Sequence, residues 1–307
     1  MKYLILILLS LCSYSTDLSG QIIMPTPGKI ERADGRLRLQ GKIRMYAEES
    51  PGSFIRLFYE KLVPESAVEW CKEEVNSHIS WKKDVTLPAE GYRIRVTPER
   101  IIVRAADDAG FIYAIQSLRQ WNTGEERGLI FPCVEITDFP RVKWRSFMLD
   151  SGRQYQKVST IKKYIDMASM LKMNYFHWHL TEGLGWRIEI KRYPFLTRIG
   201  AFVGQGPEQQ GFYSQEEVKE IIGYAADRGI TVVPEIDMPG HAEAALNAYP
   251  RLGCLNVAVK VPQSGFTQNI FCAGKDSTLI FLKNVLDEVC RMFPSAYIHL
   301  GGDEAPK

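Results

Sequence analysis

The sequence predicts an α/β protein: the first half of a (β/α)8 TIM barrel over residues 138–307, behind a small α+β domain at 21–137 and a signal peptide at 1–20. Three observations lead there. Beyond Asp138-Phe139-Pro140-Arg141, short apolar runs alternate with stretches of helical period, the pattern of buried parallel strands joined by helices. The C-terminal ends of four successive runs carry ionisable residues, which is where such a barrel collects its chemistry. No glycine-rich phosphate fingerprint follows the first run, which counts against a dinucleotide-binding sheet.

Met1-Lys2 precedes an apolar run at 3–11, and small or polar residues follow to Gly20. That is the layout of a signal peptide, cleaved after Ser15 or Gly20, and the run is too short to hold the chain in a bilayer. The protein is therefore expected to be exported, to a periplasm or beyond. A lipid on Cys12 is a second reading, although Leu11 stands where a small residue is expected.

In the first domain Tyr92-Arg93-Ile94-Arg95-Val96 alternates apolar and charged residues, the turn Thr97-Pro98-Glu99-Arg100 follows, and 101–105 reads as the second strand, so a β-hairpin is expected. Ile112, Ile115 and Leu118 place a helix over 109–121, packed on that sheet.

In the second domain strands are expected at 144–150, 174–180, 231–235 and 297–300. Ile161, Tyr164, Ile165, Ala168 and Leu171 make one helical stripe, with Ser159 or Thr160 as its cap. Ser214 and Glu217 form a capping box before Val218, Ile221, Ile222 and Ala225, and Gly229 is placed to end that helix. A third helix carries Leu279, Leu282, Leu286, Val289 and Met292, with Pro294 beyond it.

Composition fits a soluble globular protein: 45% hydrophobic, 24% charged and 11% aromatic residues in a chain of 307. A net charge of +2 without a dense basic block argues against a nucleic-acid partner. Apart from Cys12 there are five cysteines, an odd number that argues against a full disulfide framework. A bridge between Cys254 and Cys272 and free buried thiols are both open readings.

The polar residues at the strand ends are Asp150 with Arg153, then His177, His179 and Glu182, then Glu235, Asp237 and His241, and last His299, Asp303 and Glu304. A buried, hydrogen-bonded structural role explains any one of them but explains the set poorly, because each buried charge needs its own partner. In His299-Leu300-Gly301-Gly302-Asp303-Glu304 two glycines admit a ligand close to the backbone, and two carboxylates follow where the pleat is lost. Two acids so close cannot both ionise freely, and one kept protonated is what a general acid requires.

Leu149-Asp150-Ser151-Gly152-Arg153, His179-Leu180-Thr181-Glu182 with Gly185-Trp186-Arg187, Pro234-Glu235-Ile236-Asp237-Met238-Pro239-Gly240-His241 and the His299 to Glu304 stretch occur in this order. With Gly91-Tyr92 and the 114–120 segment before them, they make the chain from about residue 90 onward resemble glycoside hydrolase family 20, the β-N-acetylhexosaminidases. The first domain resembles the small α+β domain that precedes the barrel in that family. The resemblance implies an exo-acting enzyme that removes terminal β-linked GlcNAc or GalNAc from glycans and needs neither cofactor nor metal. It implies substrate-assisted retaining catalysis, with Glu304 as acid and base and Asp303 steering the sugar's 2-acetamido group. Arg153 would hold sugar hydroxyls, while His241 and Glu182 would form a relay to the acid. Members often carry two aspartates and a glutamine where this chain has Glu182, Gly183 and Leu184, so altered spacing is expected there.

A complete barrel takes about 250 residues, and 140–307 falls well short of that. The expectation is a fragment of a longer enzyme, poorly soluble and nearly inactive by itself, with exposed strand edges. Two rival readings stand beside it. His177-Trp178-His179 could supply ligands of a metal-dependent hydrolase, which metal analysis would reveal. A non-catalytic glycan-binding protein would bind sugar without cutting it.

Overall fold

A computed structural model describes residues 22–124, 128–204, 206–207, 210–259 and 269–305. The expected signal peptide at 1–20 lies outside the described residues, and no described helix is long and apolar enough to cross a membrane.

The first domain is a seven-stranded mixed sheet covered by two helices. Its strands are β1 (Lys29–Leu39), β2 (Ile43–Ala47), β3 (Val68–Trp70), β4 (Ile79–Lys83), β5 (Tyr92–Val96), β6 (Ile101–Ala105) and β7 (Leu129–Asp138). They lie in the order β1-β7-β5-β6-β4-β2-β3. Alternation decides the central hairpin: Tyr92, Ile94 and Val96 of β5 are buried while Arg93 and Arg95 are exposed, and Ile94 faces Val103 of β6. Helices α1 (Phe54–Lys61) and α2 (Asp108–Trp121) pack beside each other. Asp107 caps α2 by accepting from the Gly110 amide at 2.8 Å. Ile112, Ile115 and Leu118 then close one hydrophobic core over the sheet.

The second domain has the predicted strand-helix alternation. Strand β8 (Ser146–Asp150) leads to α3 (Val158–Met170), and β9 (Tyr175–His179) leads to the short hairpin β10 (Thr181–Glu182) and β11 (Gly185–Trp186). Then come α4 (Phe195–Arg198), α5 (Gln215–Ala226), β12 (Thr231–Glu235), α6 (Glu243–Ala248) and α7 (Asp276–Met292). Strands β12, β9 and β8 are parallel neighbours in that order. The core between sheet and helices contains Phe176, Trp178, Ile161, Ile165, Val218, Ile221, Val285 and Val289.

Two expectations need correction. The run at 297–300 is no regular strand: it meets β12 through one isolated parallel bridge, Glu235 to His299, with the Met238 amide donating to Leu300 O at 3.0 Å just beyond. The Tyr297 amide turns to Ser295 Oγ at 3.1 Å and Gly301 takes φ +65°, so the extended stretch is interrupted on both sides. Helix α3 is capped by neither Ser159 nor Thr160: it starts earlier, with Lys157 at the N-cap and no side-chain cap bond. Of the two open readings for Cys254 and Cys272 the structure has free thiols, Cys254 exposed and Cys272 buried, each next to the Gly253–Phe271 bridge. The capping box of α5 is present, with Ser214 Oγ accepting from the Glu217 amide at 3.2 Å and Glu217 accepting from the Ser214 amide at 2.9 Å.

Among the described residues the parallel sheet is open, and Trp144, Met148, Tyr297 and Leu300 are exposed beside it. A polar seam joins the two cores. Lys172 Nζ donates to Tyr92 Oη and to Asp138 Oδ2, each at 2.8 Å, and Gln116 Nε2 donates to Ser169 Oγ at 2.9 Å. Arg228, on the turn after α5, pairs with Glu60 of α1 at 2.6 Å and with Asp166 of α3.

Candidate active site

Strand register brings the ionisable residues together. Asp150 of β8, His179 of β9 and Glu235 of β12 are direct neighbours in the ladder, and His299 bridges to Glu235. Four residues far apart in sequence thus form one row across the C-terminal edge of the sheet.

Glu235 is the centre of that row. One of its oxygens meets His177 Nε2 at 2.6 Å and His179 Nδ1 at 2.7 Å, and the other meets His299 Nδ1 at 3.0 Å. Burial opposes its charge, but the His177 and His179 hydrogen bonds and the charges of His179 and His299 hold it far below the ordinary carboxylate range. His179 is held above its usual value in return, since Glu235 outweighs its own burial. His177, Glu235 and His299 have ligand atoms within 4.8 Å of one another, the donor set that the metal-hydrolase reading needs. Each of these imidazoles already spends a ring nitrogen on the carboxylate.

Asp237 lies two residues on and behaves oppositely. It is buried, and burial together with the Asp303 charge pushes its carboxyl up to about 6, against the pull of His241 and the Gly302 amide. Gly301 is required beside it, because a Cβ there would lie 1.8 Å from Asp237 Oδ1, and φ +65° disfavours any side chain.

The residues singled out in sequence meet beside this row. Arg153 Nη1 donates to Asp150 Oδ2 at 2.6 Å, and its Nη2 lies 2.7 Å from Glu182 Oε1. Burial works against the Arg153 charge, but Asp150, Glu182 and Glu304 more than offset it. Glu182 Oε1 also lies 2.5 Å from His241 Nδ1. The opposite nitrogen of that ring, Nε2, is 3.4 Å from Glu304 Oε2. Arg153, Glu182, His241 and Glu304 therefore form one continuous chain of contacts. Glu182 is buried, whereas Glu304 and Asp303 are exposed on the loop after His299. A carboxylate oxygen of Asp303 lies within 4.8 Å of Asp237 and His241 atoms, so both terminal acids face the same region.

Sequence reasoning placed Asp150, Glu235 and Asp237 at strand ends without giving them a part in the site. The signal was there in their spacing, but their partners come from other strands.

Residues 142–307 match the description "Glycosyl hydrolase family 20, catalytic domain", and residues 21–139 match "Glycosyl hydrolase family 20, domain 2". A beta-hexosaminidase of Porphyromonas gingivalis is 41% identical over 94% of this chain and 39% of its own length. Among solved structures, the beta-N-acetylhexosaminidase of Bacteroides fragilis is 96% identical, with a TM-score of 0.90, over 94% of this chain and 58% of that one. The exo beta-N-acetylglucosaminidase of Vibrio harveyi, solved in complex with N-acetylglucosamine, is 31% identical with a TM-score of 0.85, over 94% and 47%. The chain thus spans between about two fifths and three fifths of the length of these relatives.

Proposed function

The chain belongs to glycosyl hydrolase family 20, and from that premise we propose that the protein is an exo-acting β-N-acetylhexosaminidase working on glycans that end in β-linked GlcNAc or GalNAc. Its catalytic domain is read as a (β/α)8 barrel, of which the β8, β9 and β12 sheet is a part. The observation that carries the reading is the contact chain from Arg153 through Glu182 and His241 to Glu304. It sits at the strand ends where a barrel keeps its chemistry.

In the proposed mechanism the carbonyl oxygen of the sugar's own 2-acetamido group attacks the anomeric carbon as the glycosidic C–O bond breaks. Glu304 passes its proton to the departing oxygen, and Asp303 holds the amide and faces the positive charge that develops on it. Water then opens the oxazolinium-like ring at the anomeric carbon, giving its proton to Glu304 and leaving the β configuration retained. His241, between Glu182 and Glu304, can hold or release charge as Glu304 changes protonation. Arg153 offers fixed donors to sugar hydroxyls from a half-exposed position. The signal-like start at Met1-Lys2 supports an exported protein, periplasmic or extracellular.

The test is hydrolysis of 4-nitrophenyl β-N-acetylglucosaminide by the complete protein, with the anomer of the first product read by NMR. Glu304→Gln is expected to lower kcat by about 10²- to 10⁴-fold with sugar affinity largely kept. Unchanged turnover would remove the acid assignment, and a first-formed α product would remove the retaining mechanism.

A further inference from the structure

Arg187 is fully buried, and its guanidinium meets backbone carbonyls rather than an acid. Nε donates to Ser151 O at 2.9 Å, and Nη2 donates to Gly152 O at 2.9 Å and to Leu184 O at 3.3 Å. Nη1 donates to Ala201 O at 2.8 Å and to Gly211 O at 3.1 Å. A charge placed this deep costs stability, and an apolar side chain of similar volume would fill the space at lower cost. Burial does pull the guanidinium down, to about 10, which leaves it charged at neutral pH.

What that cost supports is geometric. Ser151 and Gly152 form the turn directly before Arg153, and Leu184 lies in the hairpin two residues after Glu182. One rigid planar fork therefore grips both segments whose side chains meet in the 2.7 Å Arg153–Glu182 pair. Neighbouring Gly185 is shaped to the fork, since a Cβ there would fall 2.0 Å from the guanidinium carbon. We propose that Arg187 is a positioning residue that holds the Arg153 turn and the Glu182 hairpin at the separation the active site needs. This inference rests on the hexosaminidase reading and deepens it.

A double-mutant cycle in the complete protein tests it, with kcat/KM for 4-nitrophenyl β-N-acetylglucosaminide as the readout. Lysine keeps the charge but cannot reach five carbonyls, so Arg187→Lys is expected to lower kcat/KM about 10- to 100-fold, the scale of a misplacement near 1 Å. In an Arg153→Ala background the pair being positioned is gone, and the same substitution should cost less than about 3-fold. Equal costs in both backgrounds would mean that Arg187 merely supports the fold, and would overturn the proposal. Should Arg187→Lys not fold, Gly185→Ala keeps the guanidinium and displaces it, and the same non-additivity is expected with the unfolding midpoint monitored alongside. If the wild type binds GlcNAc without cutting it, the cycle is read on that Kd: the proposal then stands or falls separately from the hydrolase reading. A wild type that neither binds nor cuts the sugar overturns both.

Discussion

Glu235 and Asp237 stand two residues apart on the same strand end, yet their surroundings drive them in opposite directions. Three imidazoles surround Glu235 and keep it ionised, whereas Asp237 is buried beside another acid and titrates near 6. The consequences for stability have opposite signs. With Asp237 raised above the ordinary 3.8, the native state holds a proton between about pH 4 and 6 that the unfolded chain has released, so its contribution falls as pH rises through that window. Asp237→Asn should remove this dependence, read as denaturation midpoints against wild type from pH 4 to 7. With Glu235 lowered, its contribution is present above its ordinary value of 4.5 and is lost as pH falls. Glu235→Gln should therefore lose stability near neutrality and gain on wild type as the solution is acidified. Sequence spacing put both acids in the right place, but their charge states depend on His177, His179, His299 and Asp303, which arrive from other segments.

At the level of elements, the signals that were legible were local ones. The Ser214–Glu217 capping box needs only four consecutive residues, so it could be read directly and is present in full. Ser214→Ala is expected to cost about 1 kcal/mol of stability, measured by urea unfolding, with little change in the denaturant slope. A loss below a few tenths of a kcal/mol would show the cap to be redundant. Alternation likewise identified the β5–β6 hairpin, because a period of two needs no tertiary information. The α3 start was misread because Ser159 and Thr160 are good capping residues by type, while the helix starts before them at Val158. The run at 297–300 is apolar enough to be a strand, yet the Tyr297 amide turns back to Ser295 and Gly301 leaves the extended region, so one isolated bridge forms instead of a ladder.

Across the whole molecule, two hydrophobic cores are joined by a seam of charge that no local pattern announced. Lys172 sits in the left-handed region at φ +57° and reaches from the second domain to Asp138 and Tyr92 of the first. Burial lowers its pKa, and Asp138 restores part of that loss. Lys172→Ala removes the cation from a mostly buried carboxylate, which keeps only the Tyr92 hydroxyl and the Gly28 amide, and should cost about 3 kcal/mol, detected in calorimetry as a lower midpoint or as separation of the two domain transitions. An unchanged thermogram would show that the seam contributes little to coupling the domains. By itself the sequence determined the β5–β6 hairpin, the α5 capping box and the alternation of strands and helices beyond residue 140, because periodicity and short motifs are properties of neighbouring residues. Only the tertiary structure decided that Glu235 collects three histidines, that burial pushes the Asp237 carboxyl up, and that Arg187 grips the Arg153 turn and the Glu182 hairpin together. Those outcomes depend on strand register and on distances between segments far apart in the chain, which fix the local field and which no one-dimensional spacing encodes.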